Sequence, residues 1–262
     1  MGTSQSISPG VSGDPNWGQT SSAISNFANR FEKENENTAL ITNHSYIKKR
    51  NSSQRNILKK YIQAAGGRSN MTSGRSSKGG KAAISTAKSL GNILNIISRG
   101  ELSNYAQSKG LYNFANKSKS EIINFLLEDI CGPTTNFDEA AAKSALDKLL
   151  NNIMENADMD KDLDTILQES ISSNGIEPIL IDFFGDYIFE HLFQPIQEHL
   201  FDSKGETICN QTMDEIGDFI KSELSVLHST GNISEVNWND KDERERIVKN
   251  IFDNVIAVFE DE

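Results

Sequence analysis

The chain has 262 residues, of which 36% are hydrophobic, and its formal net charge is −11. This length allows one large or two modest domains, and the low hydrophobic share indicates a folded core accompanied by polar segments. No apolar run is long enough to span a bilayer, no secretory signal pattern is present, and two cysteines, Cys131 and Cys209, do not make a disulfide framework. We therefore expect a cytoplasmic protein without a membrane partner.

The charges are separated along the chain. Residues 45–120 contain fifteen Lys and Arg but a single acidic residue, whereas residues 121–262 contain nine Lys and Arg against thirty-two acidic residues. These segments therefore carry net charges of +14 and −23. Such a reversal indicates either two bodies with different partners or two bodies that face each other.

Residues 1–50 are predicted to form a flexible tail. The stretch SISPGVSGDPNWGQTSS combines Gly, Pro, Ser and Asp in turn-forming order, with only scattered apolar residues. Trp17 is the exception, and two interpretations remain open for it. It is either an exposed tail residue or an anchor that docks the tail on a partner, since aromatic side chains carry much of the energy of binding.

Residues 51–132 are predicted to form a basic helical region. A first helix begins near Ser52 and stops at Gly66, and a flexible Gly/Ser/basic linker follows it. A second helix is predicted from about Lys81 to Ser98. The stretch SKSEIINFLLEDICGP predicts another helix, which opens with a capping box of Ser118 and Glu121.

Residues 133–262 are predicted to form an acidic helical domain. Its stretches show helical periodicity, with a break at Pro195, a second capping box at Thr212 and Glu215, and a last helix near 243–259. No segment shows the alternation typical of strands. The predicted fold class is therefore all-α, a helical body with a long disordered N-terminal tail that contains Gly, Ser and Pro.

Two loop motifs are incomplete. DMDKDLDTILQE has acids at positions 1, 3, 5 and 12 of an EF-hand loop, but position 6 is Leu163 where the turn needs glycine. A phosphate-binding loop has lysine directly after its second glycine, then serine or threonine. In GRSSKGGK, Gly80 stands between Gly79 and Lys81, Ala82 follows the lysine, and no strand is predicted before the loop. We predict neither a calcium site nor a nucleotide-binding P-loop.

The repeated EHLF places His191 and His199 eight residues apart, which suggests a metal pair. A proline lies between them and no third ligand is evident, so surface or half-buried helix positions are the favoured interpretation. The chain contains no catalytic constellation, and we predict no catalytic residue, no metal ligand and no enzymatic activity.

The chain begins MGTSQS, and removal of the initiator methionine would expose the amine of Gly2. The pattern from Gly2 to Ser6 matches an N-myristoylation signal. It also provides an unhindered primary amine. An α-amino group has a pKa of about 8, so more of it is neutral at cytosolic pH than of a lysine near 10.4. Stable acyl anchoring needs a second membrane signal, for which the cluster Lys48, Lys49 and Arg50 is the one candidate.

The MGTS start, the following SISPG and the stretch from Tyr61 to Gly100 resemble the QatB family of accessory proteins in bacterial Qat anti-phage defence operons. The resemblance implies an operon that also encodes an ATPase, a QueC-like enzyme and a TatD-like nuclease, which become the expected partners. QueC chemistry activates a 7-deazaguanine carboxylate with ATP and delivers an amine to it. ATP, and zinc where the enzyme uses it, would be bound by the partner.

The resemblance therefore suggests that Gly2 becomes amide-linked to a deazaguanine base. Residues expected to contact the QueC-like partner are Gly2, Thr3, Ser4, Gln5, Ser6 and Trp17. The alternative is a scaffold or adaptor that binds nucleic acid or the operon ATPase through the basic helical region. That region has few interleaved aromatic residues and no recognised nucleic-acid-reading motif, so binding to an acidic protein surface explains its charge equally well.

Overall fold

The computed structural model describes residues 15–36, 44–155, 163–230 and 236–260. These residues form α-helices and one short 3-10 helix, with no strand among them, which confirms the all-α class. The helices are α1 Pro15–Glu36, α2 His44–Ala64, α3 Arg68–Thr72, α4 Lys81–Ser98, α5 Leu102–Ser108, α6 Lys119–Cys131, α7 Phe137–Glu155, α8 Leu163–Asn174, α9 Ile176–Phe193, α10 Gln197–Lys204, α11 Glu206–Thr230 and α12 Lys241–Glu260. None of them is long and apolar enough to cross a membrane.

Helix α9 lies at the centre of the fold. It packs against α4, α7, α8, α11 and α12, and twelve of its eighteen residues are buried. A helix with apolar residues on most of its sides is favoured in the protein interior, which explains the central position of α9. Phe184 of α9 stacks on Phe252 of α12, with ring centroids 4.4 Å apart. One hydrophobic cluster takes in buried residues from all three predicted segments, from Trp17 to Phe259.

The basic and acidic segments face each other. Ion pairs join basic side chains of residues 45–120 to carboxylates of residues 121–262. Most of these side chains are about one third exposed. Each such pair contributes at most about 1 kcal/mol, and together they join the oppositely charged parts of the sequence. The pairs are Arg50–Glu215, Arg55–Glu223, Arg68–Asp253, Lys88–Glu245 and Lys109–Asp129.

The prediction of an unstructured tail is wrong for residues 15–36 and 44–50, which are helical. Helix α1 packs against α2 and α11. Its buried residues recur every three or four positions and therefore form one face of the helix. They are Trp17, Thr20, Ile24, Phe27, Ala28 and Phe31. Residues 1–14 lie outside the described residues.

The glycine-rich segment between α2 and α4 is folded rather than a flexible linker. Arg68 of α3 donates from Nε and Nη2 to the two carboxylate oxygens of Asp253, at 2.9 and 2.6 Å. Met71 is fully buried, and Gly79 and Gly80 are buried as well. The segment thus buries residues at both of its ends and is anchored on α12 through a bidentate, charge-assisted pair.

The two predicted capping boxes have different outcomes. Ser118 accepts from the Glu121 N–H while the Glu121 carboxylate accepts from the Ser118 N–H, which confirms the first box. The second is wrong, because Thr212 lies inside α11, where its hydroxyl donates to the Ile208 carbonyl at 2.7 Å. Threonine makes this bond to the preceding turn in a helix interior, so the motif alone does not mark a helix start.

Other boundaries agree with the prediction. Helix α4 spans Lys81–Ser98, and the last helix spans Lys241–Glu260. Pro195 lies in the turn that separates α9 from α10, so His191 and His199 stand on different helices. His191 is fully buried rather than at the surface or half-buried, and His199 is exposed.

Candidate functional site

The predicted site residues Gly2, Thr3, Ser4, Gln5 and Ser6 lie outside the described residues. Trp17 is described, and its indole is 9% exposed. It packs edge-on against Tyr61 of α2, with ring centroids 6.0 Å apart, and lies 6.0 Å from the ring of His191. In this arrangement Trp17 holds the first turn of α1 on the helical body, so a role as a docking anchor would require α1 to leave that position.

A buried polar centre lies beneath Trp17. The Tyr61 hydroxyl is 3.1 Å from Nδ1 of His191. Burial raises the pKa of Tyr61 well above its usual value, and burial lowers the pKa of His191 to about 4. The phenol is therefore protonated and the imidazole neutral at pH 7, which makes Tyr61 the donor and Nδ1 the acceptor.

Asp138 at the start of α7 organises the other half of this centre. Its carboxylate accepts from the Tyr187 hydroxyl at 2.6 Å and from the Ala82 N–H at 2.8 Å. Gly80 donates its N–H to the Tyr187 hydroxyl at 2.7 Å and, more weakly, to Asp138 at 3.2 Å. The side chains of Asp138 and Tyr187 thus satisfy the backbone N–H groups that the start of α4 leaves free.

Close packing requires glycine at both positions of the turn formed by Gly79 and Gly80, the double-glycine turn. A Cβ atom on Gly79 would lie 2.9 Å from Cε1 of His191, and one on Gly80 would lie 2.5 Å from the Met71 carbonyl oxygen. Gly80 also has φ of 94°, in the left-handed region that favours glycine. The GGK element that resembles part of a phosphate loop is therefore a turn sealed against the core by His191 and Tyr187.

This centre is closed rather than catalytic in form. His191 is 0% exposed, and its Nε2 is buried without a hydrogen bond of good geometry, although the Asp138 charge and the Lys78 backbone partly offset the lowering of its pKa by burial. Within the described residues, no three His, Cys, Asp or Glu side chains are grouped so that they could hold a metal ion. The EF-hand-like acids Asp158, Asp160 and Asp162 lie outside those residues. The arrangement stabilises the junction of α2, α4, α7 and α9.

The buried His191 predicts a pH dependence of stability. An unfolded histidine has a pKa near 6.5, so between pH 6.5 and 4 the unfolded chain binds the proton that the folded chain refuses. The stabilising contribution is complete above pH 6.5 and is lost as the pH falls to 4, with a total of roughly 2–3 kcal/mol. Urea unfolding of the protein and of His191→Gln should show a stability difference that shrinks by this amount between pH 7 and 4.

The comparison with the variant cancels the contribution of the carboxylates, among which Glu121 and Glu245 also have lowered pKa values of about 2. A stability difference that stays constant from pH 7 to pH 4 would contradict a neutral, buried His191.

Comparison with known proteins gives one family. Residues 66–259, well over half of the chain, match the family model of the Qat anti-phage system associated protein QatB. No curated protein and no solved structure matches the chain. The matched residues include the double-glycine turn, Asp138, Tyr187 and His191, whereas Trp17 and Tyr61 precede them.

Proposed function

Because this chain belongs to the QatB family, associated with the Qat anti-phage system, we propose that it is a non-enzymatic defence component that binds a QueC-like enzyme and presents Gly2 for modification with a 7-deazaguanine base. The observation that carries the proposal is the MGTS start, which offers an unhindered α-amine in a chain of this family. The closed polar centre around His191 supports a non-enzymatic role, since no substrate could reach that imidazole in this arrangement.

The chemistry requires only an amine from this chain. The partner joins the deazaguanine carboxylate to AMP from ATP, with release of pyrophosphate. The neutral Gly2 amine then attacks the activated carbonyl, an amide bond forms, AMP leaves and a proton is lost to solvent. An α-amine suits this step because its pKa of about 8 leaves a usable neutral fraction near pH 7.

The position of α1 sets how far Gly2 can reach. The chain from Gly2 to Pro15, where α1 begins, can span at most about 45 Å. A partner whose active site lies within that distance of the first turn of α1 could therefore receive Gly2 while the helical body stays outside. The first turn of α1, with Trp17, is the part of the described structure nearest along the chain to the proposed reaction.

The alternative, a scaffold or adaptor that binds nucleic acid or the ATPase, depends on the basic region. Part of its charge is already paired, since Arg55, Arg68 and Lys88 contact carboxylates of the acidic helical domain. A long polyanion would also meet those carboxylates and be repelled by them. These contacts favour the proposal over nucleic-acid binding.

A phage-protection assay separates the two functions. A tag fused ahead of Gly2 should abolish protection, because it removes the amine at that position, whereas the same tag after Glu262 should leave protection intact. Gly2→Pro should behave like the N-terminal tag, since proline offers a hindered secondary amine. If both N-terminal changes preserve protection, a scaffold role is the better account.

A further inference from the structure

A cavity of about 310 Å³ lies on the side of α4 that faces the start of α12. Its floor includes Ser85, Ser89 and Asn92, which recur along one face of α4 at the spacing of successive helical turns. Tyr105 of α5 and Ile93 of α4 add an aromatic ring and an apolar surface. The cavity therefore combines hydroxyl and amide groups with a face on which a planar group could rest.

The walls of this cavity are basic. Four cations line it, Lys88, Lys109, Lys241 and Arg244, against a single lining carboxylate, Asp129. That carboxylate is already engaged, because it accepts from Lys109 at 2.9 Å and from the Tyr105 hydroxyl at 2.5 Å.

Two of these cations, Lys241 and Arg244, lack a compensating anion. Lys88 pairs with Glu245 at 2.9 Å. Arg244 instead donates to neutral acceptors, the Asn92 side-chain oxygen at 2.9 Å and the Trp238 carbonyl at 2.8 Å, and its Nε is buried without a partner. Among the described residues, neither Arg244 nor Lys241 forms an ion pair.

From this geometry we propose that the cavity binds a phosphate-bearing small molecule of mononucleotide size, with Lys241 and Arg244 as its principal contacts. Arginine and lysine side chains are the usual partners of phosphate groups, and a volume near 300 Å³ is at the lower end of small-ligand sites. Asp240 already caps the N–H groups of Asp242 and Glu243. The ligand therefore contacts side chains rather than the helix N-terminus.

The surroundings favour a small ligand over a polynucleotide. Asp240, Asp242 and Glu243 flank Lys241 along the chain, and the whole protein carries a net charge of −11. A single phosphate group in the cavity meets the local cations, whereas a long strand would extend over these acids and be repelled.

The test is isothermal titration calorimetry of the full-length protein with AMP, GMP and inorganic pyrophosphate at millimolar concentrations and constant ionic strength. At least one probe should bind, and Lys241→Gln should weaken that binding by about tenfold, as expected for the loss of one charge-assisted hydrogen bond. The Lys241 side chain is exposed, so this variant should fold normally. Arg246→Gln, on the exposed side of the same helix, is the matched control and should bind normally.

Three results would overturn the proposal. The first is no binding of any probe, and the second is equal weakening in Lys241→Gln and Arg246→Gln, which would indicate nonspecific attraction. The third is binding of a single-stranded oligonucleotide that Lys241→Gln abolishes while the three small probes fail to bind. That outcome would assign the basic wall to nucleic acid.

Discussion

Replacement of Trp17 with alanine is expected to lower the free energy of unfolding by about 4 kcal/mol, the usual cost of removing a large buried aromatic side chain. The indole is 9% exposed and fills the space over Tyr61 and His191, two side chains that are themselves fully buried. Truncation would open a cavity there and expose the Tyr61–His191 hydrogen bond to water. Helix α1 would also lose the contact that fixes its first turn.

Urea unfolding followed by circular dichroism measures this effect. Tyr112→Ala is the control, since this ring is 63% exposed and its removal should change stability by no more than about 0.5 kcal/mol. If Trp17→Ala is as stable as the control yet fails to bind the QueC-like partner, Trp17 is a docking anchor rather than part of the core.

Replacement of Gly80 with alanine is expected to cost about 3–4 kcal/mol, the sum of a left-handed backbone penalty and an overpacking penalty. Its Cβ would lie 2.5 Å from the carbonyl oxygen of Met71 and 2.9 Å from the Met71 carbonyl carbon. Relief of this clash would require backbone movement, and the Gly80 N–H would leave Tyr187 and Asp138. The start of α4 would then lose its anchor.

Gly110→Ala provides a matched control. Gly110 has the same φ of 94°, but a Cβ atom there would have nothing within 4 Å. Its replacement should therefore cost only the backbone penalty, about 1 kcal/mol. Thermal or urea unfolding of both variants isolates the packing contribution, and equal losses of stability would contradict the close packing of the double-glycine turn.

The sequence predicts the class of fold and several helix boundaries because these depend on local signals. The apolar stripe and glycine stop of α4, and the reciprocal capping residues Ser118 and Glu121, act within one or two turns of helix. The charge reversal is also informative, because ion pairs link the basic segment to the acidic one in the structure.

The wrong prediction of an unstructured tail at α1 has a physical cause. Pro15 suggests a turn, yet proline is also favoured at the first position of a helix, where its missing N–H has no cost. Trp17, Ile24 and Phe27 share the buried face of α1, but their Gly, Ser and Asn neighbours have weak helix propensity and hide that pattern in the sequence. Tertiary packing on α2 and α11 stabilises α1 despite them.

The polar centre could not be predicted, because it depends on contacts between distant parts of the chain. Tyr61 and His191 are 130 residues apart, and Tyr187 and Asp138 are 49 apart. No local pattern shows that a histidine in an EHLF repeat accepts a hydrogen bond from a tyrosine. The basic cavity is likewise assembled from residues of α4, α5, α6 and α12, so composition indicates its charge but not its place.

Whether Gly2 is a substrate of the QueC-like partner can be read from the intact mass of the protein together with the mass of its N-terminal peptide. The protein should be co-expressed with the active enzyme, with an active-site variant of that enzyme, and alone. We expect an added mass on Gly2 that needs the active enzyme and is absent from Gly2→Pro. An unmodified Gly2 in the presence of the active enzyme would contradict it.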